Sequence, residues 1–338
     1  MPNQPAVVLT FNPPGPQFAI SEQCVMPSIK ATAAFQNITP DPKIPLQFQW
    51  NVTLVFTGAN CVHSLGRVIK HDPITAATMV NTFLIPFTQV RGGDLTVSVS
   101  VRVGNVNLTA RSTGLQIVGT NPTLASLQAA APANDAFRRL TRLESGLRQF
   151  RAPGCPLFSE DNLGGVGLCQ LTSPAPTDDQ VWSWKANLAG GVALWNSKES
   201  TARGFPAQVR SSATFKALVK AFNDQRAATA EAAAAPGKAP AVQPPIVVTL
   251  PDYTADQLQR ETLRGFNGWA GGLHEFRPKV DANGLLVVTI PAGSTTGTAE
   301  WEEIGAADRI AFYDQAGIAQ NHRGDANYVA DVEGRASF

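Results

Sequence analysis

The chain has 338 residues, 43% hydrophobic and 16% charged, a globular composition long enough for two ordinary domains and unlike that of a disordered segment. Its formal net charge of +1 offers no long-range attraction to nucleic acid or to an anionic membrane surface, which excludes partners recognised by bulk charge. No stretch approaches the ~20 apolar residues of a membrane-spanning helix, and the opening MPNQPAVVLTFNPPGPQF has neither a basic leader nor an unbroken apolar run, so no integral membrane segment and no Sec-type signal are expected.

Residues 1–27 carry Pro2, Pro5, Pro13, Pro14, Pro16 and Pro27 and read as an extended arm. Residues 28–120 read as an antiparallel β-sandwich. Leu46, Phe48, Trp50, Val52, Leu54 and Phe56 alternate with mostly polar residues, as do Leu95, Val97, Val99, Val101 and Val103, and period two puts each set on one face of a strand. Shorter β-rich pieces cover Ala31 to Ile38 and Val106 to Val118, with Gly92-Gly93 as a turn. Cys24 and Cys61 fall in the first part of the chain and Cys155 and Cys169 in the second. Bridges Cys24 with Cys61 and Cys155 with Cys169 stand as alternatives to small buried thiols.

From residue 122 the pattern turns helical. Asn134 suits an N-cap, followed by Phe137, Leu140, Leu143 and Leu147 at helical intervals, which puts Glu144 beside Leu140 and Leu147. A second helix runs through Val181, Trp184, Leu188, Val192 and Trp195, with Gly190 and Gly191 small enough to admit a neighbouring helix. A third carries Phe215, Leu218, Val219 and Phe222. Near 227–250 an Ala/Pro-rich stretch with Pro236, Gly237, Pro240, Pro244 and Pro245 forbids a continuous helix and reads as an insertion. Thr254 and Gln257 fit a capping box for a helix ending near Phe266, Asn267 and Gly268, and Leu285 to Ile290 after Asn283-Gly284 reads as one arm of a small hairpin.

Three motifs follow one another in this second part: Glu144-Ser145 within RRLTRLESGLRQF, then Gly167-Leu168-Cys169-Gln170 within LGGVGLCQLTSPAPT, then Phe266-Asn267-Gly268, with Tyr328 in Asn327-Tyr328-Val329 further on. In that order, with AGGVALW between, they resemble the lysozyme-like lytic transglycosylases, the superfamily that includes goose-type lysozyme. The resemblance covers residues 122–338. It implies an α+β multidomain protein in which the β-sandwich precedes a mainly α lysozyme-like catalytic domain, and it implies cleavage of peptidoglycan between N-acetylmuramic acid and N-acetylglucosamine without cofactor or metal. Glu144 would be the general acid and base, while Ser145, Gln170, Asn267 and Tyr328 would contact substrate. The chemistry fits, because glycosidic cleavage needs a carboxylic acid that stays protonated near neutral pH, and amide side chains read N-acetyl sugars without adding charge.

Phe266 stands where the family has tyrosine and Cys169 where it has methionine. A second carboxylate would make the enzyme a hydrolytic muramidase; Asp161, Asp178 and Asp179 are the nearby candidates, in contexts that suit turns and helix caps. Arg138, Arg139, Arg142, Arg148 and Arg151 form a local basic cluster, most of it read as a solvated helix face. His274-Glu275 begins like a zinc-protease helix, but Pro278 occupies the position of the second histidine. Two further expectations follow: the resemblance with the absent signal implies export to the cell wall by another machine, as an antibacterial effector with an immunity partner or a phage-type lysin, and the β-sandwich with the altered third motif offers instead a non-catalytic glycan-binding role in a phage tail or secretion apparatus.

Overall fold

The computed structural model describes residues 4–152, 154–234 and 243–338. It is a mixed α+β protein, with strands up to Val118 and mostly helices thereafter. Strands β1 (Ala6–Asn12), β2 (Gln17–Ala19), β3 (Lys30–Gln36), β4 (Phe48–Thr57), β5 (Val68–Lys70), β6 (Ile74–Thr78), β7 (Thr82–Leu84), β8 (Gly93–Val103) and β9 (Val106–Val118) form two sheets. One has the order β1-β3-β7, the other β2-β9-β8-β4-β5 with β6 also paired to β4. Pairing is antiparallel except between β2 and β9.

Side-chain alternation sets the register. Phe48, Trp50, Val52, Leu54 and Phe56 of β4 are each no more than 4% exposed, whereas Gln49, Asn51 and Thr53 face solvent. Burying a large apolar side chain in this way contributes roughly 1.5–3 kcal/mol. The inward residues of β8 meet them in the same core as Ile29, Ala31 and Ala33 beside and within β3.

Two expectations about this region change. The proline-rich start, expected as an extended arm, is built into the sheets, because β1 pairs with β3 and β2 with β9, leaving Pro13, Pro14 and Pro16 in the break between them. Gly92-Gly93 is not the hairpin turn, which falls at Gly104 instead (φ 58°). The glycines permit close approach: a Cβ on Gly92 would overlap the Trp182 ring, and one on Gly93 the main chain of Val55 and Phe56.

The same core takes in Phe150, Phe158, Val166, Val181 and Trp182. The strand-to-helix change near residue 122 is therefore not a boundary between cores. The compact division falls at Val192/Ala193: residues up to Val192 with Ala336–Phe338 form one unit, and Ala193–Arg335 the other. The first unit adds α1 (Leu124–Ala130), α2 (Asp135–Ser145), the hairpin β10 (Phe150–Ala152) with β11 (Cys155–Pro156), α3 (Asp178–Trp182) and the beginning of α4 (Trp184–Ser211). Asn134 caps α2 by accepting from the Phe137 N–H, and Gly146 ends it in the left-handed conformation. The single helix expected from Val181 to Trp195 is broken at Ser183, whose backbone is extended.

The second unit holds the rest of α4, then α5 (Ala213–Ala232), β12 (Val247–Thr249), α6 (Ala255–Phe266), β13 (Phe276–Pro278), β14 (Val288–Thr289), β15 (Thr296–Ala299), β16 (Trp301–Glu303), α7 (Ala306–Gln315) and α8 (Tyr328–Glu333). Thr254 and Gln257 close the capping box of α6. The Ala-rich start of the expected insertion is helical as far as Ala232, whereas its Pro236, Gly237 and Pro240 lie outside the described residues. The hairpin arm expected over Leu285 to Ile290 is ladder-paired only at Val288–Thr289, with a lone bridge between Val280 and Leu286. Among the described residues no helix is long and apolar enough to cross a membrane.

The cysteines pair differently from either expected bridge. Cys61 is bonded to Cys155, with Cα atoms 5.5 Å apart, while Cys24 and Cys169 are free thiols. Grouping by halves of the chain fails because the β10–β11 hairpin belongs to the same unit as the β4–β5 connection and folds onto it.

Candidate functional site

Glu144 and Ser145 occupy the last turn of α2, whose buried face is Phe137, Leu140 and Thr141. Glu144 is half-buried, three and four residues on from Thr141 and Leu140. The segment Val166 to Cys169 is brought against this helix end. The Cys169 thiol is wholly buried and its pKa is pushed up to about 12, chiefly by loss of water; a hydrogen bond with Thr141 acts the other way, and the Glu144 charge adds to the rise. Glu144 and the Gly167-Leu168-Cys169-Gln170 loop are thus neighbours.

Two buried amides hold that loop. Gln149 donates to the carbonyls of Gln180 (3.0 Å) and Val181 (2.9 Å) and accepts from the Leu168 N–H (3.2 Å). Asn187 accepts from the Cys169 N–H (2.9 Å) and donates to the carbonyls of Val166 (2.8 Å) and Gln180 (3.1 Å). Both are 0% exposed, so these hydrogen bonds replace water that the loop main chain has lost. Gly167, at φ 74°, donates to the Leu157 carbonyl, and a Cβ there would overlap both amides. Gly190 and Gly191 admit both a helix and the loop: a side chain on Gly190 would overlap Gln180 of α3 and Leu171, and one on Gly191 would overlap Cys169.

Sequence reasoning missed Gln149 and Asn187, although a signal existed. Asn187 lies on the buried face of α4 with Trp184, Leu188 and Gly191, where an amide is out of place unless it has partners.

The expected substrate contacts have local partners. Ser145 Oγ donates to the Thr141 carbonyl (3.1 Å) and accepts from the Leu147 N–H (3.1 Å), finishing its own helix. Gln170, at φ 44°, folds its amide nitrogen back onto the Gly167 carbonyl (2.8 Å). Asp161 accepts from the Leu163 N–H (2.9 Å), Asp178 lies 3.4 Å from Arg67, and Asp179 pairs with Arg91. Arg138 donates to the carbonyls of Pro132 and Phe338, and Arg151 pairs with Glu160.

Asn267 and Tyr328 lie in the second unit and come together there. Asn267 caps α6 and donates from Nδ2 to the Asp325 carbonyl (3.1 Å), to which the buried Tyr328 also donates its N–H (3.2 Å). The loop after Asn267 is anchored on α6. Glu261, fully buried, accepts from Trp269 Nε1 (2.6 Å) and the Glu275 N–H (2.8 Å), and lies 2.6 Å from His274 Nδ1. Glu275 in turn takes hydrogen bonds from Arg264 (2.9 Å) and Arg309 (2.8 Å), so the His274-Glu275 pair is part of a buried charge network.

No family model matches this chain, and no curated protein matches it.

Proposed function

We propose that the protein cuts bacterial peptidoglycan between N-acetylmuramic acid and N-acetylglucosamine, as a lytic transglycosylase with Glu144 as acid and then base. The observation that carries this reading is Glu144 at the end of α2 beside the loop through Gln170, the pairing that the motif order implies. In this reading the two N-terminal sheets are a β-sandwich and the helices are lysozyme-like. Glu144 sits in the last turn of α2, where the helix leads through Gly146 into the chain that runs on to the loop. Glu144 would donate its proton to the glycosidic oxygen as the C1–O bond breaks. The resulting carboxylate would then take the proton of the muramyl residue's own hydroxyl as that oxygen closes on C1, giving a 1,6-anhydro end.

The engagement of Asp178 and Asp179 with arginines, and of Asp161 in a turn, favours this single-carboxylate route over a hydrolytic muramidase. The disulfide supports action outside a reducing compartment, as cleavage of the cell wall would require. Substrate roles for Asn267 and Tyr328 rest on the motif order.

Glu144→Gln is expected to slow turbidity loss of purified sacculi by about 10²–10⁴-fold with an unchanged unfolding midpoint. Mass spectrometry of the wild-type products should show anhydro-muramic ends; reducing ends would mark a hydrolase. Retained activity in Glu144→Gln would remove the assignment, and sacculus binding without release by the wild type would make the protein a glycan-binding component.

A further inference from the structure

The Cys61–Cys155 bond joins the β4–β5 connection to the β10–β11 hairpin, next to the site loop. Two residues beyond Cys155 the main chain begins to shape that loop: Leu157 accepts from the Gly167 N–H (2.8 Å), Ser159 donates to the Gly165 carbonyl (2.9 Å), and Phe158 bridges Val166. The same connection reaches the loop flanks elsewhere. His63 Nδ1 lies 3.0 Å from Asn162 Oδ1, and Arg67 donates to the Pro176 carbonyl (2.6 Å) and lies 3.4 Å from Asp178.

Two of the side-chain contacts are open to solvent. The His63–Asn162 pair is exposed, the Arg67–Asp178 pair is partly so, and His63, Leu65 and Asn162 all sit in the left-handed region without being glycine (φ 60°, 53° and 58°). The Cys61–Cys155 bond is the covalent tie between this connection and the hairpin that leads into the loop. Both bonded cysteines are half-buried and reachable by a redox partner, whereas the free Cys169 is sealed.

We propose that Cys61 and Cys155 form a redox latch on the Gly167–Gln170 loop, leaving the chain weakly active while reduced and locking the loop beside Glu144 once it reaches an oxidising compartment. This rests on the peptidoglycan-cleaving reading of that site. The oxidant is a disulfide, either glutathione disulfide or that of a thiol oxidoreductase. One cysteine thiolate attacks it and expels a thiolate, and the second then attacks the mixed disulfide. Two thiol protons and two electrons leave the chain, the S–S bond forms, and the oxidant departs as two thiols.

The test takes the full chain with Cys24→Ser in oxidised, dithiothreitol-reduced and glutathione-disulfide-reoxidised forms. Sacculus turbidity and hydrogen exchange over residues 157–171 are measured in each. Reduction is expected to slow turbidity loss by roughly ten- to a hundred-fold and to remove protection at Ser159, Val166 and Gly167, with both restored on reoxidation. A Cys61→Ser/Cys155→Ser variant should match the reduced form; if it does not fold, the reversible reduction of the parent carries the test. Equal rates and equal protection in both forms would overturn the latch and leave the cleavage reading standing. Lost protection with no cleavage in any form would support the latch and remove the cleavage reading.

Discussion

Asn187 places three hydrogen bonds on main-chain groups of Val166, Cys169 and Gln180, all out of water. Replacing it with leucine keeps the branched shape but leaves the buried Cys169 N–H without its partner, at a cost of about 1–3 kcal/mol, while the Val166 and Gln180 carbonyls keep the Leu171 N–H and Gln149 as donors. Asn187→Leu is therefore expected to lower the unfolding free energy by about 1–3 kcal/mol in urea titration, and to increase hydrogen exchange at Cys169 before the chain as a whole unfolds. At this scale the sequence was legible where a residue's partner is close along the chain: Asn134 reaches Phe137, and Thr254 reaches Gln257. It was not legible where the partner is a main-chain group many positions away. Asn187 meets Cys169 and Val166, and Gln149 meets Leu168, and no spacing rule announces either. The same blindness produced the wrong cysteine pairs, since Cys61 and Cys155 are 94 positions apart.

Among the elements, α1 shows how a short helix is fixed from outside. Its cap Thr123 and its first-turn Ser126 donate to Glu22 Oε1, at 2.7 Å from the Thr123 N–H and 2.6 Å from Ser126 Oγ. The Glu22 carbonyl accepts from Trp184 Nε1 (2.7 Å), so one turn of the β2–β3 connection ties the starts of α1 and α4. Hydrogen bonds from Ser126 and then Thr123 lower the Glu22 pKa from 4.5 to about 2. A carboxyl whose pKa is lower in the folded chain than in the unfolded one adds stability above the unfolded value, and that contribution is lost as pH falls toward the folded one. The unfolding-midpoint difference between wild type and Glu22→Gln should therefore hold steady above pH 4.5, shrink below it and vanish near pH 2. A difference that persisted at pH 2 would show that the hydrogen bonds do not depend on the charge. Periodicity revealed most elements, but not the break at Ser183, because Val181, Trp182 and Trp184 are apolar on either side of it.

For the whole molecule, composition and period distinguish strands from helices but do not say which of them share a core. The change of period near residue 122 looks like a domain boundary. Phe150, Phe158, Val166, Val181 and Trp182 nevertheless pack in one core with the strands, with Trp182 against Phe56 edge to face (ring centroids 5.2 Å apart) and over Gly92. The disulfide crosses the same supposed boundary, and closing a loop of that size in the unfolded chain corresponds to about 4–5 kcal/mol of stabilisation. Residues 122–338 expressed alone would keep every residue of the proposed site yet expose Trp182, Phe150 and Phe158 and leave Cys155 unpaired. That fragment is expected to lack a cooperative unfolding transition, to aggregate, and to release nothing from sacculi, whereas the full chain is expected to unfold cooperatively. Thermal scans followed by circular dichroism, with turbidity assays on the soluble fraction, decide it. A soluble fragment that unfolds cooperatively would restore the boundary at residue 122 and make the strands a separable module. Its failure would mean that the strands are part of the scaffold holding the Gly167–Gln170 loop, so anything they bind would act on that loop through a shared core.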